Sequence, residues 1–173
     1  EITGVEPVVL VEPLKALRKM GAGLRIFGAA GPKARIRMVM ERRPAGITID
    51  TGPYPGFPTD LQSVFLAAEA SGTGESQIRE TVYEARFEAA VRLASFGADV
   101  SVHGDTAIIK GRYPLLPGVV ETPDLRGGAA LLVAALSADG LSVVSDRGHL
   151  KRGYEDIGRD LRILGADIEE NIL

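Results

Sequence analysis

The sequence predicts an α/β fold made of repeated units, with the helices inside and the sheets outside. Three observations predict it: similar segments occur twice along the chain, helix-like and strand-like patterns alternate, and the helix-like segment 127–136 is apolar on nearly every face. Alternation of the two patterns is typical of α/β folds, and repeats of this length are units that stack on a shared core. A helix without a polar face is buried on all sides, which places the helices inside.

The two copies of the repeat agree at both ends. Helix-like segments open at Asp60 and at Asp124, and each copy later ends a second helix with Gly-Ala-Asp, at 97–99 and 165–167. The agreement predicts β-α-β-α-β-β units in a single, incomplete domain: a partial first unit at 1–45, a second unit at 46–113 and a third unit at 117–173.

The elements before the first full helix are indicated by spacing and by turn residues. Apolar residues at helical spacing predict a helix over 8–20, and Pro13 fits only its first turn. Residues 52–59 contain three prolines and two glycines, which forbid a helix and predict a stiff, extended turn. Alternating and β-branched residues predict strands at 24–27, 34–40 and 46–51.

The second and third units follow one order of elements. In the second unit the patterns predict a helix over 60–70, a strand over 76–81, a helix over 83–96, and a hairpin of strands 99–103 and 107–110 around Gly104-Asp105. In the third unit they predict a strand over 118–122, a helix over 124–137, a strand over 141–145, a helix over 153–164 and a strand that begins within 167–170.

Composition argues against several classes of protein. The 173 residues contain no cysteine, which removes thiolate ligands and agrees with a cytoplasmic location. A net charge of −3 argues against nucleic-acid binding, and no apolar run approaches the ~20 residues of a membrane span. The two histidines lack metal-ligand spacing, and no dinucleotide or phosphate-loop motif is present, so neither a metal nor a cofactor is predicted.

Two aspartates and three arginines are the candidate functional residues. Asp60 and Asp124 each begin a helix, either as N-caps or partners of the helix dipole or, for Asp60, as a carboxylate that the stiff turn aims into a cleft. Arg86, Arg126 and Arg152 are predicted at or near helix N-termini, where the helix dipole disfavours cations. They are either solvated surface residues or, as this local conflict favours, an anion site for carboxylate or phosphate.

Four motifs resemble one enzyme family in order and separation. PGFPTDLQ (55–62), ETVYEARF (80–87), DLR (124–126) and RGYE (152–155) resemble the UDP-N-acetylglucosamine enolpyruvyl transferases (1-carboxyvinyltransferases), over essentially the whole chain. The resemblance implies a cytoplasmic two-domain enzyme of inside-out α/β barrels. The chain resembles most of the C-terminal domain of such an enzyme, and the resemblance implies that the other domain is absent from it.

The resemblance also implies a reaction and residue roles. The family moves the enolpyruvyl group of phosphoenolpyruvate to the 3-hydroxyl of UDP-N-acetylglucosamine, the first committed step of peptidoglycan synthesis. Asp60 would accept the proton of the sugar hydroxyl, and Asp124 would be a second, orienting carboxylate. The implied substrate-binding residues are Thr59, Asp60, Val82 through its backbone, Arg86, Arg126 and Arg152.

Three residues depart from the family pattern as we expect it. Ala85 stands where asparagine is expected, Pro123 where threonine is expected, and Lys151 where aspartate is expected. The departures keep an alternative open, in which the chain is a diverged, non-catalytic module with the same fold that binds a nucleotide sugar or another anion. For an enzyme of this family, we expect the segment alone to be inactive because the site forms between two domains.

Overall fold

The computed structural model describes residues 1–28, 31, 34–84 and 86–170. The first elements are strand β1 (Ile2–Thr3), a 3-10 helix (Pro7–Leu10) that leads into helix α1 (Val11–Lys19), and strands β2 (Gly23–Phe27) and β3 (Arg35–Val39). These strands form an antiparallel sheet in the order β1-β3-β2. The helix predicted over 8–20 is confirmed as α1, with its first residues in the 3-10 helix, and the two predicted strands are confirmed with ends that differ by at most one residue.

The middle of the chain forms the larger sheet. Strand β4 (Thr48–Asp50) is followed by helix α2 (Gln62–Ala70), strand β5 (Glu75–Arg79), helix α3 (Glu88–Leu93) and the hairpin β6 (Asp99–His103) and β7 (Thr106–Lys110). The sheet order is β4-β5-β7-β6, in which β4 and β5 are parallel and the other neighbours are antiparallel. Gly97 ends the α3 segment with φ +70°, as its position after the helix predicted.

The last part repeats the first four elements of that order. Strand β8 (Val119–Glu121), helix α4 (Leu125–Leu136), strand β9 (Val143–Ser145) and helix α5 (Ile157–Ile163) follow one another. As with β4 and β5, strands β8 and β9 are parallel neighbours joined through a helix. The predicted strand within 167–170 is wrong, because these residues form no regular structure.

The core lies between the helices and the inner faces of the sheets. Helix α2 packs on α3, α4 and strands β5 and β7, while α4 packs also on α3 and β9. The α4 residues Ala130, Leu131 and Ala134 have no exposed surface, as the apolar segment predicted, whereas Leu136 at its end is exposed. In β5, Ser76 and Ile78 face the helices and the residues beside them face outward. Over the residues that the structure describes, the sheets are open.

Two helices begin four or five residues later than predicted. The helix predicted over 83–96 begins at Glu88, and in the segment before it the backbone N–H groups of Val82 and Tyr83 donate to the carboxylate of Glu80. The helix predicted over 153–164 begins at Ile157, where Asp156 accepts from the N–H of Arg159. Arg86 therefore lies just before α3, and Arg152 ends a separate 3-10 helix, Leu150–Arg152.

A buried carboxyl group near the end of α2 gives the fold a pH dependence. Glu69 is 1% exposed, and Ser76 Oγ donates to its Oε2 at 2.6 Å. Within the described part of the chain its Oε1 has no hydrogen-bond partner. Burial raises the pKa of Glu69 to about 7, although the Ser76 hydrogen bond lowers it in part. Between about pH 4.5 and 7 the folded state therefore keeps a proton that the unfolded state releases.

We expect Glu69→Gln to stabilise the protein at alkaline pH only. Because the raised pKa makes the free energy of unfolding fall as pH rises through this window, the neutral amide should add on the order of 2–3 kcal/mol at pH 8.5 and little at pH 5. Urea unfolding at both pH values measures this, with the exposed Glu75→Gln as control. An equal effect of Glu69→Gln at both pH values would contradict the expectation.

Candidate functional site

The proline-rich turn is anchored to α2, and this anchor fixes the start of the site. The Phe57 ring packs edge-on against Phe65 of α2 with 5.0 Å between centroids. The turn is tight at Gly56, where a Cβ atom would lie 2.9 Å from the carbonyl oxygen of Pro53. The chain then passes into a 3-10 turn, Thr59–Leu61, directly before α2. A rigid turn therefore presents Asp60, as the composition of 52–59 predicted.

The Asp60 carboxylate lies between two arginines that are distant in sequence. Arg126 Nε donates to Asp60 Oδ1 at 2.6 Å, and Arg86 Nη1 lies 3.5 Å from the same oxygen. The Asp60 side chain is 62% exposed and makes no capping hydrogen bond to α2, so the N-cap interpretation of Asp60 is wrong. It lies in the first turn of the 3-10 helix, as the dipole-partner interpretation predicted. The three groups together carry one net positive charge, which suits an anionic ligand.

Further contacts hold Arg86 in place. Its Nη1 donates to Thr59 Oγ1 at 2.8 Å, and its guanidinium carbon lies 4.0 Å from the centroid of the Tyr83 ring. A guanidinium over an aromatic face is attracted by the ring quadrupole. Thr59 and Arg86, both predicted to bind substrate, are thus brought into contact.

Glu80 is a residue that the sequence analysis missed as part of the site. Its Oε1 accepts from Thr51 Oγ1 at 2.8 Å and from the N–H groups of Val82 and Tyr83 at 2.8 and 3.1 Å, while Oε2 accepts from Thr59 Oγ1 at 2.8 Å. Burial acts to raise the pKa of Glu80, but these hydrogen bonds outweigh it and hold the pKa below its ordinary value. The sequence offered no local signal for this role, since Glu80 lies within the strand predicted over 76–81 and its threonine partners lie 21 and 29 residues away.

Asp124 caps α4. Its Oδ1 accepts from the N–H groups of Arg126 and Gly127, both at 2.8 Å, which confirms the capping interpretation for this aspartate. Arg126 thus lies in the first turn of α4, where the helix dipole disfavours a cation. The hydrogen bond to Asp60 raises the pKa of Arg126 and more than offsets its partial burial.

We expect Asp124→Ala to lower the free energy of unfolding by about 1 kcal/mol, because two N–H groups lose their acceptor. Asp124→Ser keeps a capping oxygen and should restore stability. The serine variant then isolates the predicted orienting role of the carboxylate, and its turnover should fall by less than that of Asp60→Asn. Thermal unfolding and initial rates on both variants measure this; full turnover in Asp124→Ser would leave Asp124 with capping alone.

Two predicted residues, Val82 and Arg152, lie outside the group of contacts that joins Asp60, Arg86, Arg126 and Thr59. Val82 lies beside a cavity of about 320 Å³ that is lined also by Thr81, Phe87 and Asp105, and its N–H is already committed to Glu80. Arg152 is exposed, and no residue in the described ranges pairs with its side chain. The 3-10 helix that carries it packs on α4, the helix of Arg126. Ala85 lies outside the described residues.

Within the same described ranges, no helix has both the length and the apolar character that crossing a bilayer requires, and no cluster of three potential ligands is placed to hold a metal ion.

Comparison with known proteins agrees with the resemblance. The chain is 39% identical over 97% of its length to UDP-N-acetylglucosamine 1-carboxyvinyltransferase 3 of Symbiobacterium thermophilum. The chain is similar to the crystal structure of the enolpyruvyl transferase NikO from Streptomyces tendae, with a TM-score of 0.79 and 31% identity. The match covers 96% of this chain and 38% of NikO. EPSP synthase from Acinetobacter baumannii shares the fold, with a TM-score of 0.65 and 18% identity over 93% of this chain and 37% of that one.

The chain matches a family model along most of its own length but spans only part of its relatives. The chain spans 38% of the length of the Symbiobacterium relative. The model of the EPSP synthase (3-phosphoshikimate 1-carboxyvinyltransferase) family matches residues 2–161, which is most of the chain. The chain therefore belongs to the EPSP synthase (3-phosphoshikimate 1-carboxyvinyltransferase) family.

Proposed function

We propose that this chain supplies one side of the active site of an enolpyruvyl transferase that acts on UDP-N-acetylglucosamine and phosphoenolpyruvate. The observation that carries the proposal is the Asp60 carboxylate held between Arg86 and Arg126. The similarity to proteins named UDP-N-acetylglucosamine 1-carboxyvinyltransferase supports this choice of acceptor and, with it, a place in peptidoglycan synthesis. A cytoplasmic location is part of the same proposal.

Asp60 is proposed as the base of the reaction. A carboxylate within hydrogen-bond reach of the sugar 3-hydroxyl can take its proton, while that oxygen bonds to C2 of phosphoenolpyruvate and C3 gains a proton from another donor. In the second step C3 loses a proton and the bond from C2 to the phosphate oxygen breaks. Over both steps the sugar O–H bond and the bond from C2 to the phosphate oxygen are broken, and a bond from C2 to the sugar oxygen is formed. Inorganic phosphate leaves, and the proton of the sugar hydroxyl is released with it.

The arginines are proposed to bind the negative charge of phosphoenolpyruvate and of the tetrahedral intermediate. Arg86 and Arg126 are already fixed by Thr59 and Asp60, and preorganised donors of this kind stabilise charge without reorganisation during the reaction. Arg152 is proposed to join them on domain closure, which also excludes water. Val82 is proposed to contact the nucleotide sugar through its carbonyl group, because its N–H donates to Glu80.

The domain arrangement belongs to the same proposal. The recurrence of a parallel strand pair joined through a helix in β4–β5 and β8–β9 supports division into units at 1–45, 46–113 and 117–173. We place these units in an inside-out α/β barrel that is completed, together with the second domain, by polypeptide outside this chain. The matched share of the relatives' length is consistent with this.

Phosphate release tests the proposed function in the protein that carries this chain. With UDP-N-acetylglucosamine and phosphoenolpyruvate together, we expect stoichiometric release of phosphate, and omission of the nucleotide sugar should abolish it. Asp60→Asn is the negative control. Binding of the nucleotide sugar without any phosphate release would overturn the proposal and favour the non-catalytic module. For the isolated chain we expect no release.

A further inference from the structure

A buried threonine and a buried carboxylate are hydrogen-bonded to each other at the end of the β4–β5 strand pair. Thr51 follows β4 and Glu80 follows β5, and Thr51 Oγ1 donates to Glu80 at 2.8 Å. Both residues are nearly inaccessible, at 3% and 4% exposed. The Thr51 N–H continues the strand pairing by donating to the Arg79 carbonyl at 2.9 Å. The pair therefore terminates the sheet and starts the segment that carries Arg86.

The same hydrogen-bonding arrangement occurs at the end of the β8–β9 pair, although its carboxylate is exposed. Thr122 follows β8 and Asp146 follows β9, and Thr122 Oγ1 donates to Asp146 Oδ1 at 2.6 Å. Thr122 is 2% exposed, and its N–H donates to the Ser145 carbonyl at 2.9 Å. Glu80 and Asp146 therefore occupy matching places, each opposite the threonine of the neighbouring parallel strand.

Each carboxylate then binds the backbone of the segment that follows it. Glu80 accepts from the N–H groups of Val82 and Tyr83. Asp146 accepts from those of Gly148 at 3.0 Å, His149 at 3.1 Å and, more weakly, Leu150. Burial acts to raise the pKa of Asp146, but the hydrogen bonds from Thr122 and these N–H groups outweigh it and lower the pKa. Both groups therefore bind these segments as anions.

We propose that Thr51–Glu80 and Thr122–Asp146 are one positioning device used twice, each pair setting the place of the arginine-bearing segment that follows it. The first segment leads to Arg86 and the second to Arg152. Glu80 reaches Arg86 by a second route, because Thr59 Oγ1 donates to Glu80 Oε2 and so turns its lone pairs toward Arg86 Nη1. The consequence for catalysis rests on the proposed function, whereas the consequence for the two segments does not.

Amide hydrogen exchange tests the device without any need for activity. In the protein that carries this chain, Glu80→Gln should speed exchange at Val82 and Tyr83 by about tenfold or more, because hydrogen bonds to a charged acceptor are lost, and leave Gly148 and His149 unchanged. Asp146→Asn should do the reverse. Each variant is the control for the other, and Thr51→Ser should preserve protection where Thr51→Val does not.

Kinetics adds the second readout. Glu80→Gln should raise the KM for phosphoenolpyruvate about tenfold or more, because Thr59, which accepts from Arg86, loses its charged acceptor. The KM for the nucleotide sugar should change less. Equal acceleration of exchange in both segments, or none in either, would overturn the positioning device. If exchange responds as expected but wild-type protein releases no phosphate, the device stands and the proposed function fails.

Discussion

Asp60→Asn should lower kcat by about 10²- to 10⁴-fold, the range that a positioned general base contributes. The amide keeps the shape of the side chain but cannot hold the proton of the sugar hydroxyl. Binding of the nucleotide sugar should be largely retained, since this substitution removes an interaction of the transition state. Because Asp60 is mostly exposed, the free energy of unfolding should change by less than about 1 kcal/mol.

A matched control separates chemistry from the loss of an ion pair. Asp50 and Arg79 form an exposed pair at 2.9 Å on the outer face of the β4–β5 sheet, so Asp50→Asn removes a similar pair away from the site. Steady-state rates, with the substrates varied separately, measure both variants. A kcat for Asp60→Asn within tenfold of wild type would remove Asp60 from the mechanism.

Arg86→Met should raise the KM for phosphoenolpyruvate by about 10²-fold or more and lower kcat as well. The substitution removes one charge of the anion site and leaves Thr59 without its donor. Truncating the arginine of the proposed hydrogen-bonded pair with phosphoenolpyruvate costs affinity on this scale. The KM for the nucleotide sugar should change much less, because the proposed contact to that substrate is the Val82 backbone.

The corresponding control is Arg79→Met, which removes an exposed arginine from the Asp50 pair. It should leave both KM values and kcat unchanged. Arg86→Lys tests the geometry, since an ammonium keeps the charge but not the planar fork; it should recover only part of the lost affinity. Equal effects of Arg79→Met and Arg86→Met would contradict a specific anion site at Arg86.

Asp60 and Asp124 show how far the sequence could be read at the site. The repeat placed both at the start of a helix, and for Asp124 the local geometry decides the outcome because its partners are the N–H groups two and three residues on. For Asp60 the partner is Arg126, 66 residues away. The choice between capping and ion pairing therefore depended on which helix packs beside it.

Glu80 and the start of α3 were both missed from the sequence. Helical spacing predicted a helix from residue 83, but α3 begins at Glu88, and the Glu80 carboxylate accepts from the N–H groups of Val82 and Tyr83. Thr51 and Thr59 from other segments stabilise its charge, and no local pattern shows that these threonines are near. Arg86 therefore lies in the segment between Glu80 and α3.

Local patterns in the sequence predicted the order of most helices and strands, the glycine ends of α3 and α5, and the apolar character of α4, because spacing, left-handed glycines and turn residues act within a few residues of one another. Asp124 likewise caps α4 through N–H groups two and three residues on. Tertiary packing determines that Asp60 lies between Arg86 and Arg126 and that Glu80 and Asp146 repeat one arrangement. These depend on contacts across 21 to 66 residues, which packing of the helices against the sheets establishes.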